Sequence, residues 1–238
     1  MWKASRAPRA PLAGRPGALR LGFTLQPGMR VGLFGGSFNP AHEGHAHVAL
    51  TALQRLNLDR VIWLVTPGNP LKEGRGTAAL PARLSSARRR ARGPSMTVSD
   101  AEARMRAVYT FDTLRILKAR FPSVRFVWIM GAGNLSTFHA WRGWADILET
   151  VPVAVVARPG DLMKSRFAPT VVRFAHARVP SRAARILADL EPPAWVYLNA
   201  RLNSMSSTAL RARLQKTSWE MLGEEPGAGA SPFKAVLS

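Results

Sequence analysis

At 238 residues, 47% hydrophobic and 20% charged, the chain is long enough for one domain with a substantial core. It has no cysteine, which excludes a disulfide framework and a thiolate metal site. No run of about 18 apolar residues occurs, so no membrane-spanning helix is expected. The net charge of +20 rests on 28 Arg and 6 Lys against 14 acidic groups. That balance suits polyanionic ligands, although a solvated arginine-rich surface accounts for much of it.

Residues 1–29 are rich in Arg, Pro, Ala and Gly and show no sustained period; they read as a disordered basic extension. An acidic-poor, Arg-rich start also resembles an organellar transit peptide, but the scarcity of serine and the several prolines argue against that. Strand-length apolar runs then recur at Val31–Phe34, Val61–Val65, Met96–Val98, Val124–Met130, Val153–Ala157 and Trp195–Leu198. Between them lie helical patterns at Gly44–Leu56, Ala78–Arg92, Tyr109–Arg120, Trp141–Glu149, Ser181–Leu190 and Ser207–Leu214. Buried strands alternating with helices predict an α/β fold, a Rossmann-like doubly wound parallel sheet with helices on both faces. One domain over 30–216 is expected, followed by a flexible tail over 217–238. In such sheets ligands bind at the carboxyl ends of the strands.

The chemistry is densest at Arg30 to Leu50, RVGLFGGSFNPAHEGHAHVAL. A strand runs into Gly35-Gly36, then a short polar loop, then His42-Glu-Gly-His45 at the start of a helix. The glycines allow a sharp turn and close approach of a ligand. Pro40 stiffens the loop exit. A helix start offers unsatisfied N–H groups and a partial positive charge. His42 and His45, three apart, can face one side and donate to phosphoryl oxygens. A polyphosphate fits this arrangement, although neither GxxxxGK[ST] nor GxGxxG matches it.

GGSFNPAHEGH resembles the GG[ST]F[DN]PxHxGH signature of the HxGH nucleotidyltransferase superfamily, Rossmann-like enzymes that transfer a nucleotidyl group from a nucleoside triphosphate. Within it the chain is similar to the bacterial nicotinate-nucleotide adenylyltransferase family from about Arg30 to Leu214. Trp63-Leu-Val-Thr-Pro67-Gly-Asn-Pro70-Leu-Lys72 is similar to WxxPxxxPxK, and Tyr109-Thr-Phe-Asp-Thr113-Leu114 matches YTxxTL, with Thr110 read as its N-cap. Gly131-Ala-Gly133-Asn134-Leu135 and Phe138-His-Ala-Trp141-Arg-Gly-Trp144 match GxDNL and FHxWxxW, with Gly133 standing where the family has aspartate. Arg158-Pro-Gly matches RPG, and Ser206-Ser207-Thr208-Ala-Leu-Arg211 matches [IM]SSTxxR.

The resemblance implies transfer of AMP from ATP to nicotinate mononucleotide, giving deamido-NAD and pyrophosphate. It places His42, His45, Lys72 and Arg211 in catalysis. ATP would meet Gly35, Gly36, Ser37, Phe38, His42, His45, Gly131, Ser206, Ser207, Thr208 and Arg211. The mononucleotide would meet Asn39, Lys72, Tyr109, Thr110, Thr113, Asn134, Trp141 and Arg158, with Trp141 stacking on the pyridine ring and Trp144 in the core. Mg²⁺ would accompany ATP with no dedicated protein ligand set. A cytoplasmic enzyme without nucleic-acid or membrane partners is expected, and a homo-oligomer is allowed. The alternatives are an amide-preferring or other HxGH adenylyltransferase, and a weakened nucleotide- or RNA-binding protein suggested by Gly133 and the basic charge. No RNA-recognition motif appears.

Overall fold

The computed structural model describes residues 21–68, 77–157 and 168–199. In chain order it contains β1 (Arg30–Gly36), α1 (Glu43–Arg55), β2 (Arg60–Val65), α2 (Leu80–Arg90), β3 (Met96–Ser99), α3 (Ala101–Met105), α4 (Thr110–Arg120) and β4 (Arg125–Gly131). Then follow α5 (Ala132–Leu135), α6 (Trp144–Thr150), β5 (Val153–Ala157), α7 (Pro169–Arg173), β6 (Arg178–Val179), a 3₁₀ helix over Ser181–Asp189, and β7 (Trp195–Asn199). The strands form one sheet in the order β3-β2-β1-β4-β5-β7-β6, and every pairing is parallel.

Strand side chains alternate between two buried faces, which is why the strands read as continuous apolar runs. On one face lie Val31, Leu33, Ile62, Leu64, Trp128, Val155 and Tyr197, packed against Ala101, Leu114, Leu117, Leu135 and Ile147 of the helices. On the other lie Phe34, Trp63, Val127, Ile129, Ala154 and Val196, packed against Ala49, Ala52, Leu84, Ala87, Ala184 and Leu187. α1, α2 and the 3₁₀ helix therefore cover one face, and α3 to α6 the other. This is the doubly wound parallel sheet expected from the alternation of runs and helices.

The chain moves outward from β1 through β2 to β3, then returns to β4 on the other side of β1 and continues through β5. The reversal lies between β1 and β4, where such sheets open a crevice beyond their carboxyl ends. At the opposite end, Asp189 accepts from Arg30 at 3.1 and 2.8 Å and from Arg125, tying the 3₁₀ helix to the starts of β1 and β4.

Three expectations change. The expected α-helix over Ser181–Leu190 is a 3₁₀ helix over Ser181–Asp189 that buries Ala184, Leu187 and Ala188. The helix expected from Trp141 starts at Trp144, because Gly143 sits at φ +65 with the Phe111 ring against it. Leu21, assigned with the extension, is buried in the core, and Gly28 N–H donates to the Ser123 carbonyl at 2.8 Å, so residues 21–29 pack on the domain. The helix expected over Ser207–Leu214 and the 217–238 tail lie outside the described residues.

Candidate active site

The loop after β1 is built around aromatic rings. A Cβ on Gly35 would lie 2.2 Å from the Trp128 ring, and one on Gly36 would lie 3.1 Å from Phe38. Neither glycine has the positive φ that favours glycine, so their bareness makes room for the protein's own rings, a different reason from the ligand approach expected of them. Phe38, at φ 47, is buried against Phe34 and Trp63, with centroids at 5.4 and 5.1 Å. Only its backbone can serve a ligand. The Asn39–Pro40 bond is cis. The Asn39 amide oxygen accepts from Ala78 N–H at 3.2 Å.

The chain then enters α1 with His42 as its N-cap, not within the first turn. His42 Nδ1 accepts from Gly44 N–H at 3.0 Å, and His45 Nδ1 accepts from His42 N–H at 3.2 Å. This is a capping box in which two imidazoles replace the usual hydroxyl and carboxylate. The spacing of HxGH is the N-cap to N3 spacing, and Gly44 between them is buried. A ring nitrogen that accepts a backbone N–H is unprotonated, so the proton of each neutral ring sits on Nε2. Both imidazoles are thereby fixed as Nε2–H donors, on the sides of the rings away from the caps. The rings lie 3.9 Å apart at 35°, with His42 buried and His45 edge-on to Phe38 at 5.1 Å. Two oriented donors join the dipole of a 13-residue helix, which is an anion-binding arrangement.

Across the crevice, β4 ends at Gly131, which caps α5. Gly133 and Asn134 are exposed on that short helix. A Cβ on Gly133 would meet nothing within 4 Å, and its φ is not positive. Trp141 is half-buried in extended backbone, with one edge on Phe138 at 5.2 Å. Trp144 is wedged between Phe138 and Phe174, at 6.4 and 5.9 Å, with Arg173 over its ring. The two tryptophans share no helix face. Both are half-buried and pack on the edge of the core, Trp144 between two rings and Trp141 against Phe138.

The start of α4 comes to the same place. Arg142 lies 4.7 Å over the Tyr109 ring, and Phe111 packs on Gly143. Tyr109, not Thr110, is the N-cap, and no side chain caps the helix. Thr113 is fully buried; its hydroxyl contacts Glu102 at 3.1 Å and the Tyr109 carbonyl at 3.4 Å, so it faces inward. Glu102 was not legible as special in a charged stretch reading SDAEARMR. Burial pushes its carboxyl up to about 7, against the opposing hydrogen bonds of Thr113 and Thr66. Arg83 was similarly hidden at the edge of ARRRAR and is buried. Among the described residues no cluster of His, Asp or Glu is arranged to hold a metal. Lys72, Arg158, Ser206, Ser207, Thr208 and Arg211 lie outside the described residues.

Residues 33–213 match the family described as cytidylyltransferase-like. The chain is 63% identical, over 188 residues, to a probable nicotinate-nucleotide adenylyltransferase of Caulobacter sp. (strain K31), covering 79% of this chain and all of that one. The chain belongs to the cytidylyltransferase-like family. A second member, a probable nicotinate-nucleotide adenylyltransferase of Cereibacter sphaeroides, is 54% identical over 77% of this chain and 97% of its own. Among solved structures, the Plasmodium falciparum nicotinic acid mononucleotide adenylyltransferase complexed with NaAD superposes with a TM-score of 0.59 at 13% identity, over 77% of this chain and 83% of that one. That likeness shows the fold. The resemblance drawn from GGSFNPAHEGH holds.

Proposed function

We propose that this chain is a nicotinate-nucleotide adenylyltransferase, joining ATP to nicotinate mononucleotide to give deamido-NAD and pyrophosphate. The relatives at 63% and 54% identity carry that name. The observation that carries the mechanism is the pair of capped imidazoles at the carboxyl end of β1, beside the crevice between β1 and β4. A phosphate oxygen of the mononucleotide attacks the α-phosphorus of ATP in line. The bond from that phosphorus to the bridging β-oxygen breaks, and its electron pair leaves with pyrophosphate. The acceptor brings its own nucleophile, so the protein's task is positioning and charge stabilisation.

In this reading the Nε2–H groups of His42 and His45 donate to oxygens of the transferring and leaving phosphates. Their tautomers are set beforehand by the caps, so no reorganisation is needed as charge develops. Among the described residues no carboxylate cluster is arranged for a metal, so Mg²⁺ would accompany ATP as part of the substrate and lower its negative charge. Lys72 and Arg211 are assigned to the phosphates from the sequence alone. Trp141 offers a ring face to the pyridine, and Tyr109 and Thr110 with the start of α4 face its carboxylate. No helix among the described residues is long and apolar enough to cross a membrane; the proposed compartment is the cytoplasm, and the proposed catalytic domain is 30–216 together with residues 21–29 that pack on it.

The amide mononucleotide is the competing acceptor. Helix N–H groups and the exposed Arg142 guanidinium favour a carboxylate over a carboxamide, whose NH₂ would face donors. Purified full-length protein with MgATP and either mononucleotide, assayed for pyrophosphate and dinucleotide, tests this. A higher kcat/KM is expected for the acid. Equal values would contradict it.

A further inference from the structure

Arg83 lies in the first half of α2, outside every motif, and is 3% exposed. Its guanidinium is spent on main-chain carbonyls. Nε donates to Ala78 at 2.8 Å. Nη1 donates to Ser37 at 2.9 Å and to Thr66 at 2.7 Å, and Nη2 donates to Pro67 at 3.0 Å. Among the described residues no carboxylate forms an ion pair with it. A buried arginine without a counter-charge is costly, and burial lowers its pKa. An apolar residue of similar volume would serve simple packing at less cost.

The four carbonyls belong to three segments around the site. Ser37 is in the phosphate loop, five residues before the His42 cap. Thr66 and Pro67 leave β2, and Thr66 N–H donates to the Gly36 carbonyl at 3.1 Å. Ala78 leads into α2. The phosphate loop is held twice more from this side: Ala78 N–H donates to the Asn39 side chain at 3.2 Å, and Ser86 Oγ, on α2, accepts from Ala41 N–H at 3.0 Å. Residues 37, 39 and 41 on the approach to the imidazoles are thus fastened to α2 and to the residue that leads into it. Pro67 and Ala78 also flank the stretch that carries Lys72 in the sequence, so one planar fork spans both flanks of it.

We propose that Arg83, seconded by Ser86, is a positioning residue for adenylyl transfer, holding the phosphate loop and the exit of β2 at the separation the imidazoles require. The proposal rests on the function assigned above. Arginine is suited to this because its donors radiate in one rigid plane; lysine carries the same charge on one nitrogen and cannot span three segments. A shift of about 1 Å in the loop is enough to lower turnover by about 10².

The test uses full-length Arg83→Lys, Arg83→Ala and Ser86→Ala, with melting curves and kcat and KM for both substrates. Arg83→Lys is expected to remain folded at the assay temperature with kcat reduced about 10- to 100-fold and both KM values within about threefold of wild type. Millimolar guanidinium should restore part of the kcat of Arg83→Ala, and methylammonium at equal concentration should not. Ser86→Ala should lose several-fold in kcat. A folded Arg83→Lys protein with wild-type kcat overturns the proposal, as does equal rescue by both cations. If neither Arg83 variant folds, a wild-type kcat for Ser86→Ala overturns it and a reduced kcat at unchanged KM supports it. Failure of the wild-type protein itself to form a dinucleotide strikes the assigned function instead.

Discussion

Replacing Glu102 by glutamine should remove a pH dependence built into the fold. The Glu102 carboxyl is buried beneath the first turn of α4 and is held at about 7, against an ordinary 4.5. Between those values the folded chain keeps a proton that the unfolded chain releases. Stability contributed by this group is therefore full below about pH 4.5 and falls as pH rises through 7. At about 1.4 kcal/mol per unit, the interval of 4.5 to 7 amounts to about 3 kcal/mol. Glutamine has the same shape, carries no charge, and retains an oxygen for the Thr113 hydroxyl and an NH₂ for Thr66. Glu102→Gln should match wild type near pH 4.5 and exceed it by about 3 kcal/mol above pH 8, roughly 6–12 °C in Tm for a domain of this size. Urea unfolding of both proteins at intervals from pH 4.5 to 9 reads the difference directly. Parallel curves, with the gap constant across pH, would refute the reasoning, because the carboxyl would then titrate alike in both states.

Three further outcomes are expected at the site. His45→Ala should lower kcat by about 10²–10³ and also cost about 1 kcal/mol of stability for the lost cap, whereas His45→Gln should recover the stability but not the turnover, since glutamine at N3 completes a capping box; near-full turnover of His45→Ala would remove the ring from the mechanism. Trp141→Ala should raise KM for the mononucleotide and leave that for ATP nearly unchanged, with about 1–3 kcal/mol lost by analogy with base–aromatic stacks; a protein that unfolds instead would make Trp141 core. Gly133→Asp enters open space without backbone strain, so melting should not fall, and nucleotide KM should drop by the equivalent of about 1–2 kcal/mol for one charge-assisted hydrogen bond; an unchanged KM would show that a carboxylate at 133 has no nucleotide role.

The sheet was readable because both its faces are buried. Val31–Phe34 and Val153–Ala157 show unbroken apolar runs, and these sit in β1 and β5 with ends shifted by at most two residues. HxGH was readable because its spacing is short-range, and the structure adds that this spacing is that of an N-cap and its N3 partner. What escaped depends on contacts far apart in sequence. Two-residue β6 has no periodic signal of its own. The departure of Trp141 from the helix depends on Phe111 occupying the space beside Gly143. Glu102 and Arg83 look like ordinary surface charges until Thr66, Thr113 and Ser37 are brought around them. Thr110 looked like a cap by residue type, but the helix begins one residue earlier than a threonine cap there would allow.

The ring that lies against Gly35 has an evolutionary consequence. Trp128 sits on β4, 93 positions away in sequence, yet it occupies the space that any side chain at 35 would need, 2.2 Å from the missing carbon. Substituting Gly35 alone collides with the indole, and shrinking Trp128 alone opens a void beneath the loop that follows β1. Each change is harmful singly and compensates the other when both occur, so mutational paths through this part of the molecule must cross a valley or take both steps together. The double glycine that advertises the site in the sequence is thus kept in place from below, by a strand on the far side of the crevice, whatever ligand lies above it.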